Sequence, residues 1–159
     1  MKTFRKILWP FSVLYHAITS LRNLAYDNGW LRSTRFNIPV IAVGNLSTGG
    51  TGKSPMIEYL IRLLSNTTSI CVLSRGYGRR SKGFVWGSAD SNADDLGDEP
   101  MQFQKKFSNI SVAVDGNRVQ GINRILKDKP AVECILLDDA FQHRKVRAGL
   151  YILLSFPFF

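Results

Sequence analysis

Between the apolar run Val40-Ile41-Ala42-Val43 and a helical pattern from about Lys53 to Leu64 lies the turn Gly49-Gly50-Thr51-Gly52-Lys53-Ser54. A chain that leaves a strand through glycines and turns at once into a helix suits a sheet whose next strand runs parallel. The glycines also leave backbone N–H groups bare for an anion to approach, and the helix start adds positive potential. Lys53 supplies a point charge for terminal phosphates and Ser54 a hydroxyl for Mg²⁺. Gly49, Gly50, Thr51, Gly52, Lys53 and Ser54 are therefore the candidate nucleotide-phosphate residues. The turn departs from the GxxxxGK[ST] pattern, since Ser47 stands where its first glycine belongs and the nearest upstream glycine is Gly44. An ordinary glycine-rich loop is the bland alternative, and the strand-turn-helix context argues against it. A dinucleotide fingerprint fits worse, because Pro55 follows where a third glycine is needed.

The rest of the chain repeats this texture. Ile70–Leu73 reads as the next strand, followed by a polar, glycine-rich stretch to Gly97 with a short strand at Phe84-Val85-Trp86. A helix is predicted from Asp98, where Asp suits a cap and Pro100 a first turn. Ile110–Val114 reads as a strand, Asn117–Lys127 as a helix, and Cys134–Leu137 and Leu150–Leu154 as further strands. The expected fold is α/β, a P-loop NTPase-like, mostly parallel sheet with helices on both faces. An amphipathic helix precedes it, because Leu8, Phe11, Leu14, Ile18, Leu21 and Ala25 recur every three or four residues. Residues 1–35 form that N-terminal region, and residues 36–159 the nucleotide-binding domain.

Hydrophobic residues make up 45% of the 159-residue chain and charged residues 21%, which excludes a disordered polyelectrolyte. The net charge of +9 calls for an anionic partner. More than half of that charge falls in residues 1–35, where Lys2, Arg5, Lys6, Arg22, Arg32 and Arg35 face Asp27 alone. A basic amphipathic helix with Trp9 and Phe11 near its start can lie in a membrane interface or pack on its own domain. No apolar run reaches the ~18–20 residues of a membrane span. The N-terminus imitates a signal peptide briefly, but no small-x-small site closes it, so it reads as retained and cytoplasmic. Cys71 and Cys134 sit in apolar strands without CxxC spacing and read as core residues of a reducing compartment. Nothing resembles a zinc knuckle, a basic zipper or an RNA-reading aromatic strand, so no nucleic-acid partner is expected.

Three further segments carry chemistry. Cys134-Ile135-Leu136-Leu137-Asp138-Asp139 is an apolar strand ending in two acids, the way P-loop enzymes hold Mg²⁺ directly or through water. Ser74-Arg75-Gly76-Tyr77-Gly78-Arg79-Arg80 follows the second strand, at the sheet edge where the phosphate turn lies. Its arginines hold a phosphate or acidic substrate, or else form a solvated basic turn. In Gly97-Asp98-Glu99-Pro100 a carboxylate can accept the proton of an attacking hydroxyl, ligate Mg²⁺, or simply cap a helix. Asp90, Asp94 and Asp95 look like a solvated acidic loop, and His16 and His143 are the chain's histidines.

Together Gly44–Pro55, Ser74–Arg79, Gly97–Pro100 and Asp138-Asp139-Ala140-Phe141-Gln142-His143 occur in this order in the tetraacyldisaccharide 4'-kinase family, the lipid A kinases of Gram-negative bacteria. The resemblance runs from about Phe4 to Leu154 and accommodates Ser47, because that family's phosphate loop carries Ser or Thr there. It implies ATP-dependent phosphorylation of the 4'-hydroxyl of tetraacyldisaccharide 1-phosphate. It also implies a peripheral protein on the cytoplasmic face of the inner membrane, with the N-terminal helix meeting the bilayer and the lipid substrate. By the resemblance Lys53 and Ser54 bind ATP and Mg²⁺, and Asp138, Asp139 and Glu99 are metal-side acids. Asp98 is then the base acting beside Lys53, and Arg75, Arg79 and His143 face the substrate.

Members of that family are longer, with a second lobe that helps close the site. The ending Ser155-Phe156-Pro157-Phe158-Phe159 reads as a premature end or frame change, so the chain alone is expected to have little kinase activity. The rival readings are a nucleotide switch or transport ATPase of the same P-loop class and an inactive fragment. The Arg75–Arg79 loop and Gly97–Pro100 favour the kinase, and no guanine-reading Asn-Lys-x-Asp is present.

Overall fold

A computed structural model describes residues 17–45, 52–140 and 144–155. The candidate residues Gly49, Gly50, Thr51 and His143, with the first half of the N-terminal apolar stripe, lie outside the described residues. The chain divides into two compact units, Met1–Ser33 and Thr34–Phe159. In the first, residues 17–27 form helix α1, closed by a turn in which Leu31 N–H donates to Ala25 O at 3.0 Å. Ile18 and Leu21 of the apolar stripe are 57% and 66% exposed and the neighbouring Leu24 49%, while Ala25, the last residue of the stripe, is half-buried. Among the described residues no helix is long and apolar enough to cross a membrane.

The second unit is built on a six-stranded sheet: β1 Val40–Asn45, β2 Ile70–Ser74, β3 Val85–Trp86, β4 Ser111–Val114, β5 Cys134–Asp138 and β6 Leu150–Leu154. The spatial order is β3-β4-β2-β5-β1-β6, and every pairing is parallel except the short antiparallel β3 on β4. The connecting helices are α2 Lys53–Leu64, α3 Ala93–Leu96, α4 Asp98–Lys106 and α5 Arg118–Asp128.

The apolar runs read as strands because both of their faces are covered. Along β2, Cys71 and Leu73 enter one core with Ile122 and Ile125 of α5, while Ile70 and Val72 enter the other with Ile57 and Ile61 of α2 and Phe103 of α4. In β5, Ile135 and Leu137 face the first core, and Cys134 and Leu136 the second. Successive side chains of a strand point to opposite faces, so a sheet sandwiched by helices needs continuous apolar runs instead of alternation. Both cysteines are free and buried, and burial pushes the Cys71 thiol up to about 12, which keeps it an inert core residue. At the edge strand β6, Leu150, Tyr151 and Leu153 remain about half exposed.

The elements differ from the sequence reading in two respects. The acidic stretch expected as a solvated loop holds the short helix α3, opened by a reciprocal cap. Asp95 N–H donates to Asn92 Oδ1, and Asn92 N–H donates back to Asp95 Oδ2 at 3.0 Å. Strands β1 and β5 also run on past the end of their apolar runs, β5 to Asp138 through pairing with Val43, and β1 to Asn45 through pairing of Gly44 and Asn45 with Leu153 and Leu154 of β6.

Gly97 joins α3 to α4 at φ 88 and ψ 162, backbone that side chains avoid. A Cβ here would lie 2.6 Å from the Tyr77 carbonyl oxygen. This contact clasps the Ser74–Arg80 loop against the start of α4. Gly97→Ala is expected to cost about 1–3 kcal/mol, seen as a lower midpoint with an unchanged slope in urea unfolding.

Candidate phosphate-binding site

In a parallel sheet all strands point their carboxyl ends to one edge, and ligands bind in the crevice there. Asn45, Ser74 and Asp138 close β1, β2 and β5, and Asp115 follows directly on β4. Helix α2 starts at the same edge. Gly52, left-handed at φ 84, delivers the chain into it with no side-chain cap and no acid in the first turn. The N–H groups of that turn are therefore not matched by a local carboxylate, which suits an anion.

Lys53 and Ser54, the first residues of α2, both reach acids far along the chain. Lys53 Nζ lies 2.7 Å from Asp139 Oδ1, 86 residues away, and 3.3 Å from Asn45 Oδ1. Ser54 donates to Glu99 Oε1 at 2.8 Å. Asp139 follows β5 with φ 52, the left-handed conformation that Asp tolerates better than most residues.

Asp138 is only 1% exposed. Its Oδ2 accepts from Ser74 Oγ at 2.9 Å, while its Oδ1 is buried without a hydrogen-bond partner among the described residues. Burial, reinforced by Glu99 and Asp139, raises its carboxyl to about 6, against the opposing pull of Ser74 and Lys53. A buried oxygen without a partner costs free energy, so it marks a place where a cation can be received. The oxygens of Ser54, Glu99, Asp138 and Asp139 are the hard donors that Mg²⁺ takes. Among the described residues no three acids, histidines or cysteines converge as a metal cage.

Asp98 is exposed in the first turn of α4. Gly97, not Asp98, is the N-cap, and no side-chain cap bond is made there, so the bland reading of Asp98 as a cap does not hold. The basic loop splits by role. Arg79 Nη1 donates to Ser81 Oγ at 3.1 Å and its Nη2 to Gly83 O at 2.7 Å, so this guanidinium braces its own loop. Arg75 is exposed at the sheet edge.

Two residues at this edge escaped the sequence reading. Asp115 and Arg118 are 3% and 2% exposed, and Arg118 is held between the ends of β4 and β5 by bonds to the carbonyls of Asp115 and Asp138. The signal was present. Val112-Ala113-Val114-Asp115 is an apolar strand ending in Asp, the same rule that singled out Asp138.

A helix that opens with Gly52, Lys53 and Ser54 beside a neighbouring acid-ended strand of a parallel sheet is the arrangement of the P-loop nucleotide-binding fold. The family model for tetraacyldisaccharide-1-P 4'-kinase (LpxK) matches residues 4–155. The chain belongs to the tetraacyldisaccharide 4'-kinase family. It is 60% identical over 155 residues to the tetraacyldisaccharide 4'-kinase of Flavobacterium johnsoniae, covering 98% of this chain and 46% of that protein. Against the enzyme of Flavobacterium psychrophilum it is 63% identical, covering 98% of this chain and 45% of that one. The crystal structure of Aquifex aeolicus LpxK in complex with ATP superposes with a TM-score of 0.86 at 41% identity, over 94% of this chain and 48% of that one. The chain thus spans about half the length of the curated relatives it matches.

The raised Asp138 carboxyl has a consequence for stability. From its ordinary 3.8 up to about 6, the folded chain keeps a proton that the unfolded chain has lost. This contribution is full below pH 3.8 and is lost as pH rises through about 6. With chelator present, Asp138→Asn is therefore expected to gain stability over the parent as pH rises, by about 3 kcal/mol in all, roughly half of it between pH 5 and pH 8. Urea unfolding at pH 5 and pH 8 reads the difference.

Proposed function

We propose that this chain is the nucleotide-binding part of a tetraacyldisaccharide 4'-kinase, which transfers the γ-phosphoryl group of ATP to the 4'-hydroxyl of tetraacyldisaccharide 1-phosphate in lipid A biosynthesis. The observation that carries this reading is the 2.7 Å contact between Lys53, at the start of α2, and Asp139, at the end of β5. It joins the phosphate lysine to the acidic strand end that such transfer requires.

In this reading the N–H groups of Gly49, Gly50, Thr51 and Gly52 cradle the phosphates of ATP. Lys53 leaves Asp139 for the γ-phosphate, and Ser54 with the carboxylates of Glu99, Asp138 and Asp139 would hold Mg²⁺, directly or through water. Bound there, the ion would supply positive charge against the phosphate charge that develops in transfer. Asp98, beside Glu99 on α4, takes the proton of the sugar 4'-hydroxyl as the new O–P bond forms and the bond to the ADP oxygen breaks. Arg75 meets the anionic acceptor, Arg79 keeps that loop in shape, and His143 is the further substrate-side residue that the family pattern implies. Most of the catalytic effect is positioning and electrostatics, because phosphoryl transfer asks for little covalent chemistry from the protein.

We further place the protein peripherally on the cytoplasmic face of the inner membrane. The exposed Ile18, Leu21 and Leu24 of α1 and the basic Lys2, Arg5, Lys6 and Arg22 support this reading.

Titration calorimetry of the chain with ATP and Mg²⁺ tests the nucleotide site. Lys53→Ala is expected to weaken binding at least tenfold, and equal affinity in parent and variant would remove Lys53 from the site. Membrane contact is tested by co-sedimentation of the chain with vesicles. Binding is expected on anionic vesicles at low salt, with release at high salt, since each basic residue near such a surface contributes ~1 kcal/mol. Equal binding to neutral vesicles would refute the electrostatic part.

A further inference from the structure

Arg118 is the largest fully buried side chain among the described residues, and its burial needs a reason. A guanidinium taken out of water must find partners, and Arg118 finds main-chain carbonyls. Its Nη1 donates to Asp115 O at the end of β4, and its Nη2 donates to Asp138 O at 3.1 Å at the end of β5. These strands do not pair with each other, because β2 lies between them. The fork therefore ties two strand ends together beneath the sheet edge.

The carbonyl of Asp138 is the group through which this tie acts. It belongs to the peptide leading into Asp139, whose φ of 52 departs from the strand. A non-glycine residue in left-handed backbone needs surrounding structure to hold it there. On one side of the turn Arg118 fixes the preceding carbonyl. On the other, Ala140 N–H donates to Val43 O at 3.2 Å. Held between these bonds, the Asp139 carboxylate reaches Lys53 and the Asp138 carboxylate reaches Ser74.

We propose that Arg118 is a positioning residue for the metal-side acids, clamping the Asp138-Asp139 turn through main-chain carbonyls without touching substrate itself. Its metal-side consequence rests on the nucleotide-site reading above, whereas the clamp itself does not. Lysine cannot replace it, since one ammonium on a flexible stem does not present two donors in a fixed planar fork.

The test uses the full chain and the variants Arg118→Lys and Arg118→Met. Without nucleotide, amide hydrogen exchange at Ala140 is expected to quicken at least tenfold in both variants, while Ile57–Ile61 of α2 keep their protection. With ATP, the gain in affinity on adding Mg²⁺ over chelator is expected to fall at least tenfold, while metal-free ATP affinity changes less than threefold. Unchanged exchange at Ala140 would overturn the proposal. So would loss of protection throughout the sheet in both variants, which would make Arg118 a residue of global stability. A parent chain that binds no ATP would refute the nucleotide reading, and exchange at Ala140 would still decide the role of Arg118.

Discussion

The contact between Lys53 and Asp139 is the point on which the site depends. It joins the first residue of α2 to the residue after β5, 86 positions later, across the carboxyl edge of the sheet. Neither residue could be brought there by local structure alone. Gly52 must hand the chain into α2 at a left-handed angle, and β5 must run beside β1 with Val43 opposite Asp138. Because the pair is partly exposed, its worth to stability is small. Its significance is electrostatic: each charge is kept beside its opposite at the edge where the helix and the strand end meet.

Around this pair the edge gathers more acid than base. Glu99 arrives from α4, Asp138 from β5 and Asp115 from the end of β4, and two of these three are nearly fully buried. Crowded carboxylates raise one another's affinity for protons, as Glu99 and Asp139 do for Asp138. Stability is thereby given up at the site that a positive ligand would relieve. A protein that folds around such an edge must gain its stability elsewhere, and the two cores on opposite faces of the sheet are where the apolar burial lies.

Much of this was legible in the sequence. Continuous apolar runs gave the strands, since residues such as Cys71 and Val72 face opposite cores and both must be apolar. The glycine turn and the acid-ended β5 singled out the candidate edge, because strand-turn-helix order puts both at the carboxyl edge of a parallel sheet. What escaped was of another kind. Helix α3 rests on one reciprocal cap in a stretch whose composition looks like loop. The clamp role of Arg118 is invisible because its partners are carbonyls, which every residue has. Whether Asp98 caps its helix turned on one backbone position, and Gly97 takes the cap. The division of work between Arg75 and Arg79 likewise depends on where Ser81 and Gly83 present their oxygens.

The left-handed backbone at Asp139 sets a rule for what that position can hold. Aspartate and asparagine enter this conformation more readily than longer acids, because their short polar side chain can bond locally. A glutamate at 139 would keep the charge and extend the reach, yet it would favour a different peptide plane and carry the preceding carbonyl away from Arg118. Glu99, by contrast, projects from the regular backbone of α4, where no such restriction applies and reach is an advantage. The choice between the two acidic side chains at this edge is thus made by main-chain geometry, one position at a time, and not by their chemistry, which is nearly the same.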